Sequence, residues 1–194
     1  TDDVASLIAN SQIDGQPIGH YEASSYYIAL ASAGHDTTSS TAAGGLLAML
    51  QKPDEWRKLK ANPALVGSAV DEMVRWVSPV KHFFRTATQD YVLRERSIRA
   101  GDNLLMAYPS ANRDEDVFED PFAFLVDRSP NRHVGFGYGA HACLGMFLAK
   151  VELQHLFREL ISRVDHFELA GDPAWVQTSF VGGLKRLPVR VYPA

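Results

Sequence analysis

The stretch His133-Val-Gly-Phe-Gly-Tyr-Gly-Ala-His-Ala-Cys-Leu-Gly145 places three spaced glycines ahead of the only cysteine in the chain. A helical pattern from Met146 to Val164 begins directly after it. Cys143 is therefore predicted to lie at the entrance of a helix, where unpaired N–H groups and the helix dipole favour a thiolate. The glycines allow the backbone to turn tightly and to approach a flat group closely.

This loop has three possible interpretations. A single cysteine is usually a small buried apolar residue, and a glycine-rich loop before a helix can bind phosphate. An anionic sulfur in such a loop is also an axial ligand for haem iron. The first two interpretations do not explain why the cysteine shares its loop with Phe136 and His141.

The pattern Phe-Gly-x-Gly-x-His-x-Cys-x-Gly, read from Phe136 to Gly145, resembles the haem-binding signature of the cytochrome P450 monooxygenases. The resemblance implies that Cys143 is the ligand of the haem iron and that Phe136 packs beside its sulfur. It also implies that Gly137 belongs to the haem-binding loop and that His141 contacts a haem propionate. The implied cofactor is haem b, iron protoporphyrin IX.

Composition limits the other classes of function. The chain has 194 residues, 46% hydrophobic and 22% charged, which is enough for one globular domain or most of one. A net charge of −4 gives no basic surface for nucleic acid, and one cysteine excludes an intrachain disulfide. No apolar run is long enough to span a membrane, so the expectation is a cytoplasmic protein.

A long, mostly apolar segment from Glu22 to Met49 is interrupted at Ala33-Gly-His-Asp-Thr-Thr-Ser-Ser-Thr41. In one interpretation a helix ends near Gly34 and another begins with Asp36 or Thr37 as its N-cap. In the other, one helix continues through a local distortion that leaves room for a small molecule.

Ala33-Gly34-x-Asp36-Thr37 is similar to the oxygen-binding motif on the distal helix of cytochromes P450, which favours the continuous helix. The resemblance implies that Ala33 and Gly34 let this helix lie close to the haem. It further implies that Thr37 and Asp36 guide the protons that dioxygen chemistry requires. A threonine hydroxyl suits this role because it can both donate and accept a hydrogen bond.

Glu72-Met-Val-Arg75 lies in a helix predicted from Leu65 to Trp76, and its two charged residues share one helix face. This motif and Pro121-Phe-Ala-Phe-Leu-Val-Asp-Arg128 resemble the Glu-x-x-Arg and Pro-x-x-Phe-x-x-x-Arg motifs of the family. The resemblance implies a structural charge network of Glu72, Arg75 and Arg128 that secures the loop before the cysteine.

Ser78-Pro79 ends that helix, and an extended run follows up to Arg85. On the resemblance, Arg85 contacts a haem propionate; the alternative is a plain strand with an exposed arginine. The resemblance also places four residues in the wall of a substrate pocket: Val80, Phe83, Phe180 and Val181. For the last two, the alternative is an ordinary β-turn closed by Gly182-Gly183.

The helix after the cysteine carries apolar residues that are expected to form its buried stripe. They are Leu148, Val151, Leu156, Leu160 and Val164. On the resemblance, Ala149 of the same helix lies near the proximal face of the haem.

The expected fold is mainly α with small β-sheets, the cytochrome P450 fold, with residues 1–194 as the C-terminal, haem-binding part of a single domain. The N-terminal half, with the other helices around the substrate, is outside this chain. Three segments resemble soluble bacterial P450s that hydroxylate terpenes, which favours a small, apolar, terpene-like substrate. They are residues 33–40, Tyr108-Pro-Ser-Ala-Asn-Arg-Asp114 and Phe180-Val-Gly-Gly183.

The resemblance implies a haem-thiolate monooxygenase that inserts one oxygen atom from O2 into a C–H bond. Electrons would come from NAD(P)H through a ferredoxin reductase and an iron–sulfur ferredoxin that docks near the cysteine loop. One alternative is a peroxide-driven haem-thiolate enzyme, although such enzymes usually replace the acid–alcohol pair that is intact here. The others are a non-catalytic haem-binding fragment and one half of an assembly with a separate N-terminal chain.

Overall fold

The computed structural model describes residues 2–194, which form helices and small antiparallel sheets, as the sequence predicts. The α-helices of this part of the chain are α1 (Val4–Ala9), α2 (His20–Gln51), α3 (Pro53–Ala61), α4 (Val66–Val77), α5 (Tyr108–Ala111) and α6 (Met146–Arg163). The chain forms two compact units, one ending at Asp36 and the other beginning at Thr37.

The strands pair two by two, and every pair is antiparallel. The pairs are β1 (Gln12–Ile13) with β2 (Gln16–Pro17), β3 (His82–Thr86) with β6 (Asn103–Ala107), β4 (Tyr91–Leu93) with β5 (Arg96–Ile98), β7 (Val164–Leu169) with β10 (Val189–Pro193), and β8 (Ala174–Trp175) with β9 (Leu184–Arg186). No helix of residues 2–194 combines the length and the apolar character needed to cross a membrane.

The first unit contains α1, the short β1–β2 hairpin and the beginning of α2. The Asp3 carboxylate caps α1 by accepting a hydrogen bond from the Ser6 amide at 2.7 Å. The hydroxyl of Tyr27 donates to the carbonyl of Ala5 at 2.9 Å. The tyrosine therefore joins α2 to α1 within this unit.

Helix α2 is α-helical from His20 to Gln51, so the prediction of a continuous helix is confirmed and the split at Gly34 is wrong. Every residue within these bounds is α-helical, so the local distortion predicted at residues 33–41 is not confirmed. Its hydroxyl side chains bond back to carbonyls of the same helix, as Ser32 does to Ile28 and Thr41 does to Thr37. The hydroxyls of Ser32 and Thr41 are therefore satisfied inside the helix.

The hydrophobic core of the second unit is built on α4 and α6. From α4 come side chains with no solvent exposure, including Val66, Val70 and Met73. From α6 come Leu153, Phe157 and Ile161, which recur at a spacing of four residues and so share one helix face.

The predicted buried stripe of α6 is wrong in three of its five residues. Leu148 is 71% exposed, and Val151 and Leu156 are also exposed, whereas Leu160 is partly buried and Val164 is buried in β7. The reason is that α6 carries apolar residues on more than one face, and the face that meets the core is that of Leu153, Phe157 and Ile161.

Replacing a side chain of the observed stripe should therefore destabilise the chain far more than replacing one of the predicted stripe. Phe157→Ala removes a ring that is 1% exposed and should lower the free energy of unfolding by about 3–5 kcal/mol. Leu148→Ala, on the exposed face, should change it by less than about 0.5 kcal/mol. Urea unfolding followed by circular dichroism measures both, and equal losses would contradict the assignment of the core face.

Candidate functional site

The cysteine loop is closed by backbone hydrogen bonds. The amide of Cys143 donates to the carbonyl of Phe136 at 2.8 Å, and the amide of Gly137 donates to the carbonyl of Val134 at 2.8 Å. Gly137 has φ +71°, and a Cβ there would lie 3.1 Å from the carbonyl oxygen of His141. A side chain at this position would therefore be strained and crowded at once.

The cysteine itself is exposed and lies just ahead of α6, as the sequence predicts. Gly145 is the N-cap residue of α6, and its carbonyl accepts a hydrogen bond from the amide of Ala149 at 2.9 Å. Phe136 and Ala149 are partly buried, and His141 is exposed at the end of a short 3-10 turn. The loop thus holds its backbone firmly while its sulfur remains accessible.

Glu72, Arg75 and Arg128 meet in a buried charge network. Arg75 donates from Nε to Oε2 of Glu72 at 2.7 Å and from Nη2 to Oε1 at 2.8 Å. Arg128 donates from Nε to the same two oxygens at 3.0 and 3.2 Å. The side chains of Glu72 and Arg75 have no solvent exposure, and that of Arg128 is nearly enclosed.

Each terminal nitrogen of the two guanidinium groups also donates to at least one backbone carbonyl. Arg75 donates to the carbonyls of Asn112, Pro121 and Ala123, each at 2.8 Å. Arg128 donates to the carbonyls of Glu119, Asp120 and Ala123 at 2.6 to 3.0 Å. The network therefore fixes the course of residues 119–123 as well as balancing charge.

Sequence reasoning missed Asn112, which connects this network to the cysteine loop. Its carbonyl binds Arg75, its side-chain nitrogen donates to the Ser78 hydroxyl at 2.8 Å, and its side-chain oxygen accepts from the amide of Val134 at 2.8 Å. Asn112 is fully buried. The available signal was its place in Tyr108-Pro-Ser-Ala-Asn-Arg-Asp114, one of the segments that carry the family resemblance.

The four residues predicted to form a pocket wall lie together. Val80 and Val181 form an isolated antiparallel bridge, and the rings of Phe83 and Phe180 meet edge to face with centroids 5.3 Å apart. Two backbone hydrogen bonds join the same segments, from Lys81 to Phe180 and from Gly182 to Pro79. The start of β3 and the turn at residues 180–182 thus form one small apolar surface.

Arg85 lies in β3 opposite Leu104 and is partly buried. Its guanidinium donates to the carbonyl of the preceding residue, Phe84, at 2.8 Å. This contact uses one of its five donors, so the side chain retains donors for an anionic group.

The predicted oxygen-binding residues lie in the middle of α2. Ala33, Gly34 and Asp36 belong to the first unit, where Oδ1 of Asp36 is 2.9 Å from Nδ1 of His35. Thr37 belongs to the second unit and is partly buried, and its carbonyl accepts the hydroxyl of Thr41.

A cavity of about 950 Å³ in the second unit is lined by chain neighbours of the predicted wall residues, but by none of the predicted site residues themselves. Its lining includes Trp76, Lys81, His82, Arg113 and Trp175, but not Cys143 or any of the four predicted wall residues. We therefore do not assign the substrate to this cavity.

Comparison with known proteins identifies the family. A family model described as Cytochrome P450 matches residues 5–181. The chain belongs to the cytochrome P450 family. Because this family binds haem, the exposed sulfur of Cys143 is the candidate iron ligand of this P450 chain.

Similar proteins support the same family. Cytochrome P450-terp of a Pseudomonas species is 49% identical over 189 residues, which cover 97% of this chain and 44% of that protein. Linalool 8-monooxygenase of Pseudomonas putida is 38% identical over 98% of this chain and 47% of its own length. The crystal structure of CYP108D1 from Novosphingobium aromaticivorans has a TM-score of 0.93 and 47% identity over 100% of this chain and 47% of that one. The chain thus spans about half the length of the P450 relatives it matches, and the predicted P450 fold is confirmed.

The charge network gives a stability prediction. Glu72→Gln leaves two buried guanidinium groups without their shared carboxylate and should lower the free energy of unfolding by about 3–5 kcal/mol. Glu159→Gln is the matched control, because it removes the same charge from an exposed pair with Arg163 on α6 and should cost much less. Chemical unfolding measures the loss of stability in both variants. Similar losses in the two variants would contradict a central role for Glu72.

Proposed function

We propose that this chain is the C-terminal, haem-binding part of a single cytochrome P450 domain that acts as a haem-thiolate monooxygenase. The observation that carries the proposal is the accessible sulfur of Cys143 on a closed loop shared with Phe136 and His141. A thiolate on a fixed backbone is a suitable axial ligand, because the loop does not have to reorganise when the iron binds.

The residues of the loop suit haem b, iron protoporphyrin IX. Cys143 would bind the iron, with Phe136 beside the sulfur and with Gly137 and Ala149 against the porphyrin. His141 and Arg85 carry hydrogen-bond donors suited to the anionic propionates. When bound, the haem supplies the activation of O2 for inserting one oxygen atom into a C–H bond.

Thr37 and Asp36 are proposed to handle protons, with Ala33 and Gly34 as the small residues that let α2 approach the haem. The Thr37 hydroxyl can hold a water molecule by donating and accepting hydrogen bonds. Asp36 is exposed, so its carboxylate can exchange protons with solvent and pass them to its chain neighbour. The intact acid–alcohol pair favours O2 over peroxide as the oxidant.

The proposed substrate is small, apolar and terpene-like. The apolar surface of Val80, Phe83, Phe180 and Val181 offers ring and methyl contacts with few polar groups, which suits a hydrocarbon skeleton. One relative at 38% identity is named linalool 8-monooxygenase, and linalool is a terpene alcohol.

Electrons are proposed to come from NAD(P)H through a ferredoxin reductase and an iron–sulfur ferredoxin. The ferredoxin would dock at the cysteine loop, where Tyr138 and Leu144 are more than four-fifths exposed. Docking at this loop would bring the iron–sulfur cluster towards the proximal side of the haem.

We further propose that this half is active only when it is assembled with the remaining part of a P450 domain. A separate N-terminal chain is one possible source of that part. Phe147, Leu148 and Val151 on α6 are large apolar side chains that are half or more exposed. The relatives are about twice as long as the part of them that this chain matches. If no such partner is used, the chain is a non-catalytic haem-binding fragment.

Haem loading tests the ligand and the assembly together. The chain should give a thiolate-type carbon monoxide difference spectrum after reduction, alone or when the N-terminal half of a related P450 is co-expressed. Cys143→Ser should lose this spectrum, and its urea unfolding curve should be unchanged because the cysteine is outside the core. A spectrum that appears only with the added half would establish the assembly. Imidazole or water as the axial ligand of fully loaded wild-type protein would refute the proposed function.

The role of Thr37 can be tested in the active assembly with linalool as the trial substrate. Thr37→Ala should keep consuming NAD(P)H but release hydrogen peroxide in place of hydroxylated product, because proton delivery is no longer controlled. Thr38→Ala removes the adjacent hydroxyl of the same helix and should retain coupling. Unchanged product yield per NAD(P)H in Thr37→Ala would remove this residue from proton delivery.

A further inference from the structure

One carboxylate oxygen of Asp71 contacts two side chains from opposite ends of the cysteine loop. Oδ1 of Asp71 is 2.7 Å from Nζ of Lys150 and 3.5 Å from Nε2 of His133. This oxygen is buried, and neither contact has the directed geometry of a hydrogen bond. The Asp71 side chain as a whole is 32% exposed, and those of Lys150 and His133 are 28% and 7% exposed.

The positions of these two partners make the contact significant. His133 is the residue before the loop segment that begins at Val134, and Lys150 lies in the first turns of α6, beyond Cys143. Asp71 lies on α4, which belongs to the core. A single carboxylate therefore ties both ends of the cysteine loop to a helix of the core.

Phe136 lies between the two partners. Nζ of Lys150 is 5.8 Å from the centroid of the Phe136 ring, and the ring of His133 is 5.8 Å from it with a 52° tilt. The carbonyl of Phe136 accepts the hydrogen bond from the amide of Cys143. The contacts thus run from Asp71 through His133 and Lys150 to Phe136, and from Phe136 to the cysteine backbone.

The hydrogen bonds of His133 set the orientation of its ring. Nδ1 accepts the amide of Gly135 at 3.2 Å, so Nε2 carries the proton and faces Asp71. The loop also lies directly on α4 here, since a Cβ on Gly135 would come within 2.6 Å of a Val74 methyl group.

Burial by itself would raise the pKa of the Asp71 carboxyl, but the contacts with His133 and Lys150 lower the pKa below its ordinary value. Asp71 is therefore charged at neutral pH.

We propose that Asp71 is a positioning residue for Cys143, acting through His133, Lys150 and Phe136. This role is separate from that of Glu72, whose network reaches the loop through Asn112 and the amide of Val134. The inference rests on the proposed function for the purpose of the positioning, which is iron ligation. The effect of Asp71 on the loop itself does not require haem.

Hydrogen exchange of the 194-residue chain without haem tests the positioning. Asp71→Asn keeps the shape of the side chain but removes its charge. Amides of residues 134–143, including that of Cys143, should exchange about threefold to tenfold faster than in wild type. Amides of Leu153 to Ile161, in the buried part of α6, should not change.

Two further variants make the result specific. Asp127→Asn removes a carboxylate that pairs with Lys58 at 3.0 Å, away from the loop, and should leave exchange of residues 134–143 unchanged. Asp71→Asn combined with Lys150→Met should be no faster than Asp71→Asn alone, because the two residues act through one contact. Unchanged loop exchange in Asp71→Asn, or equal acceleration of the loop and the α6 core, would overturn the inference.

The haem-loaded protein gives a second readout. Asp71→Asn should convert from the thiolate-type carbon monoxide spectrum to the non-thiolate type faster than wild type and Asp127→Asn do. Should wild type give no thiolate-type spectrum while Asp71→Asn still loosens the loop, the proposed function fails and the positioning role stands. Should the spectrum of wild type be of the thiolate type and the two variants be equally stable, the positioning role fails and the proposed function stands.

Discussion

Glu72 carries a carboxylate that has no contact with solvent, and its charge is stable there because two guanidinium groups surround it. Removing an ion from water costs several kcal/mol, and Coulomb attraction offsets this cost only when the hydrogen bonds are nearly complete. Here both carboxylate oxygens accept from both arginines, and they also accept from Leu125 and Asn131. The carboxylate, the arginines and the carbonyls around them therefore hold each other in one arrangement.

This arrangement determines the position of the cysteine loop. Arg75 fixes the carbonyl of Asn112, and the side chain of Asn112 fixes the amide of Val134. From Val134 the chain continues into the turn closed by the hydrogen bond between Cys143 and Phe136. A loop of glycines would otherwise have high conformational entropy, so its order depends on contacts that are far from the sulfur in sequence.

The sequence was informative where it contains a motif that is specific for one kind of site. The fold and the Glu72, Arg75 and Arg128 cluster were predicted from such motifs, and the structure brings these three residues together. The buried face of α6 was not predictable in the same way, because apolar residues at helical spacing occur on more than one face of this helix. Their spacing does not indicate which face packs against the rest of the core. Leu148 and Phe157 are equally suitable for burial, and only the packing of α3 and α4 against α6 distinguishes them.

The local sequence of α2 was compatible both with one continuous helix and with two helices, and it did not indicate the tertiary structure around this segment. Gly34, Asp36 and Thr37 favour helix ends as much as helix interiors. The helix nevertheless continues from His20 to Gln51, and the hydroxyls of Ser32 and Thr41 bond to carbonyls one turn earlier. Asn112 shows the converse case, since its sequence neighbourhood was recognisable but its function as a connector depends on partners distant in the chain.

Asp71 and Glu72 show why neighbouring residues of similar chemistry contribute differently. Consecutive residues of a helix point about 100° apart, so the two carboxylates of α4 leave it in different directions. Glu72 points into the interior and meets two arginines, whereas Asp71 points towards His133 and Lys150 and is itself partly exposed. The buried contact contributes stability and the partly exposed one contributes local order, because solvent screens the charges of the second. Together they hold the backbone of the loop from two sides and leave the sulfur of Cys143 exposed, which is the combination that an axial ligand requires.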